Sequence, residues 1–190
     1  MSEMEKSHPY WHARNVVESE PSIESLCVSY YIYRPQSLID ERSIFSIARA
    51  DFLDPSYVTA FLDSCPTDRD VAFHSNVTCS DGSSRHIPMV DMSTGARAHL
   101  EKLKSFLDTK TYYGFVWFES GRSFHGYGSR LIRQNEWTTH MGQLLLSNQK
   151  DLKPTVDPRW IGHRLIAGYS ALRWSKNTQH YLKMPQKISR

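Results

Sequence analysis

Asp91 is placed where a carboxylate can do chemistry, because in segment 86–93 (HIPMVDMS) of this 190-residue chain it directly follows the apolar residues 87–90. A carboxylate at a strand end on a sheet edge faces a cleft, where hard oxygen ligands can bind a divalent cation. Asp is also common just before a helix, so Asp91 can instead cap a helix that begins near Thr94. The segment alone leaves both interpretations open.

A second segment, residues 119–125 (ESGRSFH), runs from an apolar strand into a Ser-Gly-Arg turn and back. Free backbone N–H groups in such a turn can bind an anion, and Arg122 adds a bidentate phosphate donor. By the two-residue period of a strand, His125 faces the cleft while Phe124 points into the core. The alternative is a plain hairpin with a hydrogen-bonded histidine.

A third segment, residues 156–165 (VDPRWIGHRL), repeats the apolar-then-Asp pattern at Asp157, and arginines follow it as far as Arg173. The segment thus supplies a second apolar-then-Asp unit together with Arg159, Arg164 and Arg173. The alternative is that Asp157 and Pro158 begin a helix and that the arginines form its solvated face.

Together and in this order, the three segments resemble the archaeo-eukaryotic primase, or primase-polymerase, superfamily, and most of all its small bacterial primase-like branch. The resemblance covers roughly residues 85–175, and its strongest part is the SGRSFH element. It implies an α+β primase-polymerase catalytic module with a mainly antiparallel, RRM-like sheet and flanking helices. It also implies a nucleotidyltransferase that joins nucleotides on a nucleic-acid template with Mg²⁺ or Mn²⁺.

The resemblance assigns roles to particular residues. Asp91 and Asp157 are expected to hold the metal and, with His125, to form the catalytic set. Arg164 and Arg173 are expected near the nucleotide or the template. The residues expected to bind the nucleotide are Ser120, Gly121, Arg122, Ser123, His125, Arg164 and Arg173.

The first motif departs from the family pattern at Ser93. The family usually has two acids at positions i and i+2 of this motif, and Ser93 is neutral. Losing a carboxylate should weaken at least one metal ion, although Glu119 beside the second motif is a candidate substitute. An alternative therefore stays open: a catalytically weakened or inactive primase-like domain that binds nucleotide or nucleic acid as a subunit of a larger assembly. A basic fold with unrelated chemistry is a third reading.

The elements that must position these residues follow from hydrophobic periodicity and turn residues. Their mixed order, with a hairpin, favours an α+β domain with a mainly antiparallel sheet. Residues 1–24 are expected to be a polar N-terminal arm without periodicity, 25–182 a single domain and 183–190 a basic tail. The pattern predicts strands over 25–34, 70–78, 85–92, 112–119 and 123–127, helices over 37–50, 54–62, 94–107 and 135–146, a short helix or loop over 157–167 and a strand or loop over 168–175.

Composition excludes several classes of protein. The chain is 39% hydrophobic and 23% charged, which excludes disorder or a coiled coil as the main state. No apolar run approaches the ~18 residues that a membrane span needs. Three widely spaced cysteines without a disulfide or zinc pattern favour a reducing, cytoplasmic location.

The net charge of +3 is unevenly distributed along the chain. Residues 1–120 contain 11 Lys and Arg against 17 Asp and Glu, whereas residues 121–190 contain 12 against 3. A basic C-terminal third favours anionic partners, here nucleoside triphosphates and single-stranded or primed nucleic acid, unless folding mixes the two regions on one surface. Because the sequence shows no helicase or zinc-binding accessory domain, a protein partner is expected to supply accessory functions.

Overall fold

The structure, a computed structural model, describes residues 4–188 and contains two antiparallel sheets flanked by helices. The strands are β1 (Ile23–Tyr31), β2 (Arg42–Ala48), β3 (Asp70–Cys79), β4 (Ser84–His86), β5 (Met89–Asp91), β6 (Val116–Glu119), β7 (Phe124–Tyr127), β8 (Ile132–Arg133), β9 (Ala171–Arg173) and β10 (Gln186–Lys187). The helices are α1 (Tyr10–Ser19), α2 (Arg49–Leu53), α3 (Pro55–Asp63), α4 (Arg97–Lys102), α5 (Thr109–Gly114), α6 (Gln134–Leu146) and α7 (Pro158–Ala167).

The first sheet has the strand order β2-β1-β3-β4-β8, and β9 also pairs with β3. The second sheet has the order β10-β6-β7-β5. All of these pairings are antiparallel. The α+β class with mainly antiparallel pairing is therefore confirmed, although the sequence pattern did not separate two sheets.

Residues 85–92, predicted as one strand, form two strands in different sheets. The N–H of Ile87 donates to the carbonyl of Ser75 at 2.8 Å, and the next residue, Pro88, has no N–H to continue the ladder. The chain therefore leaves the first sheet after β4 and enters the second as β5. This break places Asp91 at the end of an edge strand of the second sheet.

The helix predicted over residues 37–50 is wrong, because residues 42–48 are the edge strand β2. All seven residues of β2 pair with β1, from Arg42 opposite Tyr31 to Ala48 opposite Ser25. The apolar residues that suggested a helix are largely β-branched or aromatic and fit a strand equally well. Pairing with the neighbouring strand decided between the two.

The N-terminal segment contains a helix, contrary to the expectation of an arm without periodicity. In α1, Tyr10, Ala13 and Val17 are buried, with Val16 beside them. The Tyr10 hydroxyl donates to the carbonyl of Phe52 at 3.0 Å, which ties the helix to α2. The outermost residues of the expected arm and tail, 1–3 and 189–190, lie outside the described residues.

Two further predictions were wrong in part. The strand predicted over 112–119 begins only at Val116, because the side chain of Asp108 caps α5 by accepting from the N–H of Thr111 at 3.0 Å. The helix predicted over 94–107 is the short α4, followed by a 3₁₀ turn at Leu103–Ser105. Within the expected basic tail, β10 pairs with β6.

The other helices and the hairpin agree with the sequence. Asp54 caps α3 by accepting from the N–H of Ser56 at 2.9 Å, and Pro55 occupies the first helical position as expected. The hairpin of β6 and β7, the helix α6 and the helical choice for α7 are confirmed. The expected last strand is β9.

Two large apolar clusters hold the sheets. One contains side chains of both sheets, among them Phe118, and in it the rings of Phe73 and Trp174 stack with centroids 4.5 Å apart. The other packs Trp117 of the second sheet with Trp137 of α6 and Ile161 of α7.

The described residues also bear on two expectations about environment. None of the helices in residues 4–188 combines the length and apolarity needed to cross a bilayer. Cys27, Cys65 and Cys79 carry free thiols.

Gly126 in β7 tests the packing of the second sheet. A Cβ at Gly126 would come within 2.6 Å of the Trp117 ring. We expect Gly126→Ala to lower the free energy of unfolding by about 1–3 kcal/mol through overpacking. Urea denaturation followed by circular dichroism measures this.

Gly142→Ala in α6 is the matched control, because a Cβ there meets nothing within 4 Å. It should raise stability by roughly 0.5–1 kcal/mol, since alanine restricts the unfolded chain and favours a helix. Equal stability of Gly126→Ala and the natural protein would contradict the packing described.

Candidate active site

A cavity of about 360 Å³ lies where the ends of β5, β7 and β9 meet α7 and the loop between β1 and β2. Its volume is within the usual range of small-molecule sites. Of the residues expected from the sequence to carry function, it is lined by Asp91, Ser120, Arg122, Ser123, His125, Asp157, Arg164 and Arg173.

Asp91 and His125 are opposite each other in the pairing of β5 with β7. Their side chains share the cavity face, with His125 Nε2 3.7 Å from Asp91 Oδ1, while Phe124 belongs to the core. The alternation predicted for His125 and Phe124 is therefore confirmed. Asp91 caps no helix, because the N-cap position of α4 is Ala96.

Burial changes the protonation of this pair. Burial and the neighbouring Asp157 carboxylate raise the pKa of Asp91 to about 8, although the charges of Arg173 and Arg164 oppose the shift. Burial, and then the charge of Arg173, lower the pKa of His125 to about 3. In the protein alone both groups are therefore largely neutral at pH 7, and their contact is not an ion pair.

Asp157 is held beside Asp91 by the backbone. Its N–H donates to the Asp91 carbonyl at 2.9 Å, and Met92 forms an isolated bridge with Val156. The Asp157 side chain caps α7, with Oδ1 accepting from the N–H groups of Arg159 at 2.8 Å and Trp160 at 3.2 Å. The capping alternative for Asp157 is thus correct, and it coexists with a place in the cavity.

The turn after β6 is closed by its own serines. The Ser120 N–H donates to the Ser123 carbonyl at 2.9 Å, and the Ser120 hydroxyl donates to the same oxygen at 3.1 Å. Gly121 has a φ of +119°, which a residue with a side chain rarely adopts. Arg122 is exposed at the rim. The N–H of Ser120 is therefore used inside the turn, and the role of this turn in nucleotide binding stays a prediction.

Arg173 is buried against that turn rather than solvated. Its Nη2 donates to the Ser120 carbonyl at 2.6 Å, and its guanidinium lies 4.0 Å from the centre of the Tyr181 ring. It also donates to the Ser175 carbonyl. The alternative of a solvated arginine face is wrong for Arg173 and for the buried Arg164, while Arg159 is exposed.

Sequence reasoning missed one side of the cavity. Asp40 and Arg42, just before and at the start of β2, line it, and the Asp40 carboxylate pairs with both Arg42 and Arg164. No motif or spacing singled them out, and the false helix over 37–50 concealed them. Tyr31 and Tyr181, joined by a 2.7 Å hydrogen bond between hydroxyls, line the same wall.

Residues 50–186 match the family of archaeo-eukaryotic primase 1D-like proteins, described as AEP-like. This range is more than two thirds of the chain and includes all three sequence motifs. The chain belongs to this family. Neither the curated proteins nor the solved structures contain a match to this chain. A primase-like domain is thereby established, and membership suggests binding of nucleotide and nucleic acid.

The two carboxylates of the cavity suit a divalent cation that binds mainly together with substrate phosphates. Ser93 lines the cavity without supplying an acid, and Glu119 pairs with Lys183 at 2.7 Å and is not among the lining residues. Across residues 4–188, no group of three or more His, Cys, Asp or Glu side chains is arranged to hold a metal. Mg²⁺, however, usually binds one or two carboxylates and completes its shell with waters and substrate phosphates. Asp91 and Asp157 fit that mode.

The protonation of Asp91 gives a testable pH dependence. Because its folded-state pKa of about 8 lies above the ordinary 3.8, the stability that it contributes is complete below about pH 4 and is lost as the pH rises through 8. Asp91→Asn does not titrate. The stability of this variant relative to the natural protein should therefore increase by a few kcal/mol between pH 5 and pH 9.

Urea denaturation with a chelator at pH 5, 7 and 9 measures that difference. Asp54→Asn, at the cap of α3, controls for the loss of a carboxylate elsewhere. An Asp91→Asn difference that does not change with pH would contradict the assigned protonation.

Proposed function

We propose that this primase-like domain is a nucleotidyltransferase that joins nucleotides on a nucleic-acid template with Mg²⁺ or Mn²⁺. The observation that carries the proposal is the placement of Asp91, His125 and Asp157 in one cavity with Arg164 and Arg173. Two acids, a neutral imidazole and buried guanidinium groups are the chemistry that a metal-bound triphosphate requires.

Asp91 and Asp157 would hold the cation, which lowers the pKa of an attacking hydroxyl and offsets charge on the triphosphate. Binding such a cation favours the ionised form of Asp91, whose charge burial otherwise disfavours. The backbone hydrogen bond from Asp157 to Asp91 holds the start of α7 against the end of β5, so that the two carboxylates can position the reacting groups together.

His125 is suited to contact a phosphate oxygen. It remains neutral at physiological pH, and its buried Nδ1 has no hydrogen-bond partner among residues 4–188. A buried polar atom of this kind is costly unless a ligand satisfies it. Arg173 adds positive charge, held in place by the carbonyls of Ser120 and Ser175.

The mouth of the cavity supports a single-stranded nucleic acid as the template partner. Tyr33 and His180 form an edge-to-face pair there with centroids 5.5 Å apart, and Arg34 and Arg159 lie on the same rim. Exposed rings beside positive charge suit stacked bases and a phosphate backbone. A protein partner for accessory functions and a cytoplasmic location remain proposals from the sequence.

The second candidate function is a domain that binds nucleotide or nucleic acid without efficient chemistry. The neutral Ser93 in the first motif favours it, because Asp40, the third acid that lines the cavity, is paired with Arg42 and Arg164 instead. Measuring nucleotide binding and incorporation in parallel separates the two functions.

Template-dependent incorporation of labelled nucleotides tests the first function. Asp91→Asn and Asp157→Asn should each reduce the rate by about 100-fold or more, because each removes a ligand charge from the reacting centre. Asn remains a good N-cap, so Asp157→Asn should keep α7 folded. Asp54→Asn, which changes the cap of α3 outside the cavity, should keep the natural rate within about twofold.

Equal incorporation by all four proteins would exclude these sites. Binding of nucleoside triphosphate without incorporation by any of them would favour the second function.

Ser93→Asp tests whether the missing acid limits metal binding. Ser93 lines the cavity two residues after Asp91, so the added carboxylate should raise Mn²⁺ affinity by roughly tenfold. Calorimetric titration with Mn²⁺ measures the change. Ser84 is exposed at the start of β4 and does not line the cavity, so Ser84→Asp should leave the Mn²⁺ affinity unchanged. Equal gains in both variants would point to a nonspecific charge effect.

A further inference from the structure

The β1–β2 loop, residues 32–41, covers one wall of the cavity and lies outside the range that matches the family. It connects two paired strands, and most of its residues line the cavity. Leu38 and Ile39 near its tip are 87% and 70% exposed. The loop is thus anchored at both ends but has little apolar packing of its own at the tip.

Three residues of α7 hold this loop down. Arg159 Nη2 and His163 Nε2 contact the carbonyl oxygen of Ser37 at 2.9 and 3.1 Å. Arg164 donates to the Asp40 carboxylate. These are polar contacts at the edge of a cavity, so an anionic ligand can compete for the same donors.

The Asp40 carboxylate is shared between two arginines. Arg42 Nε lies 2.9 Å from Asp40 Oδ1 and 2.8 Å from Oδ2, and Arg164 reaches Oδ2 from the opposite element. Pairing with Arg42 and Arg164 lowers the pKa of Asp40 despite its burial. Asp40 is therefore a fixed anion among positive charges.

The Asp40 carboxylate alone does not satisfy the hydrogen-bond donors of Arg42 and Arg164. Arg164 is 98% buried, and its Nη1 has no hydrogen-bond partner among the described residues. Two guanidinium charges face a single carboxylate charge, whereas a phosphate group offers more acceptor oxygens and more charge. The unpartnered and buried Nη1 indicates that the cluster suits a larger anion than the one that fills it.

The cluster also lies within electrostatic reach of the proposed cation site. Arg164 and Asp91 line the same cavity, and the charge of Arg164 favours the ionised carboxylate. An anion at Arg164 would therefore be near a cation held by Asp91, as the two ends of one metal-bound polyphosphate require.

We propose that Asp40 is a built-in competitor for an anion subsite formed by Arg42 and Arg164, and that a polyphosphate displaces Asp40 and releases the β1–β2 loop from α7. This inference rests on the proposed function only in taking the ligand of the cavity to carry phosphate groups. It adds a gate: the loop covers the cavity while the subsite is empty of substrate, and occupancy opens it. In the natural chain the ligand must first displace Asp40 from the arginines, and this free-energy cost lowers the apparent affinity for the ligand.

Calorimetric titration with inorganic tripolyphosphate in metal-free buffer tests the competition. Asp40→Asn removes the competing charge with little change in shape, so it should bind about tenfold more tightly than the natural chain. Asp63→Asn removes an exposed carboxylate at the end of α3 and should stay within about twofold of the natural chain. Weaker or unchanged binding by Asp40→Asn, or no binding by any of the three, would overturn the inference.

Hydrogen exchange on the natural chain tests whether polyphosphate releases the β1–β2 loop from α7. It needs no variant, so it still tests the inference if Asp40→Asn fails to fold. The amides of residues 32–41 should exchange faster when tripolyphosphate is bound, although most ligands slow exchange where they bind. Unchanged or slower exchange of the loop would overturn the inference.

Failure of this inference and failure of the proposed function are distinguishable. A chain that binds tripolyphosphate and releases its loop but incorporates no nucleotide keeps the inference and loses the enzyme. A chain that incorporates nucleotide, with no effect of Asp40→Asn on binding, keeps the enzyme and loses the gate.

Discussion

The hydrogen bond from the Asp157 N–H to the Asp91 carbonyl is the contact on which the site depends. It joins the end of an edge strand to the start of α7, segments 66 residues apart in the chain. Buried backbone N–H and C=O groups need hydrogen-bond partners. Here the partner of the Asp91 carbonyl is the N–H of Asp157, a residue that brings a second carboxylate to the site. The capping of α7 by Asp157 then orients that carboxylate. Two acids are thereby held together whose charges repel.

Burial leaves the ionisable groups of the cavity without full compensation of their charges and hydrogen-bonding atoms until a ligand binds. Burial and the neighbouring Asp157 favour the protonated form of Asp91, and burial favours the neutral form of His125. Among residues 4–188, the Nη1 of Arg164 finds no hydrogen-bond partner even though Asp40 pairs with Nη2. A cation at the acids and an anion at the arginines would relieve both defects together. The proposed reaction and the proposed gate therefore depend on the same charged groups of the cavity.

Where the sequence succeeded, local chemistry was strong. Asp54 and Pro55 start a helix because the cap and the fixed proline φ act within a few residues. His125 and Phe124 separate to opposite faces because a strand has a period of two. Where it failed, as in residues 37–50, apolar residues suited a helix and a strand alike, and pairing along β1 made the choice.

The sequence alone determined the motif order, the α+β class with mainly antiparallel pairing, and the choice of Asp91, His125 and Asp157 as candidates, because these follow from residue types and short spacings. Only the tertiary structure decided that residues 85–92 divide between two sheets and that Asp40 and Arg42 face Arg164. These depend on segments far apart in the chain meeting in space, and no local pattern encodes which donors a distant carboxylate will find. The protonation of Asp91 is decided in the same way, since burial exists only after folding.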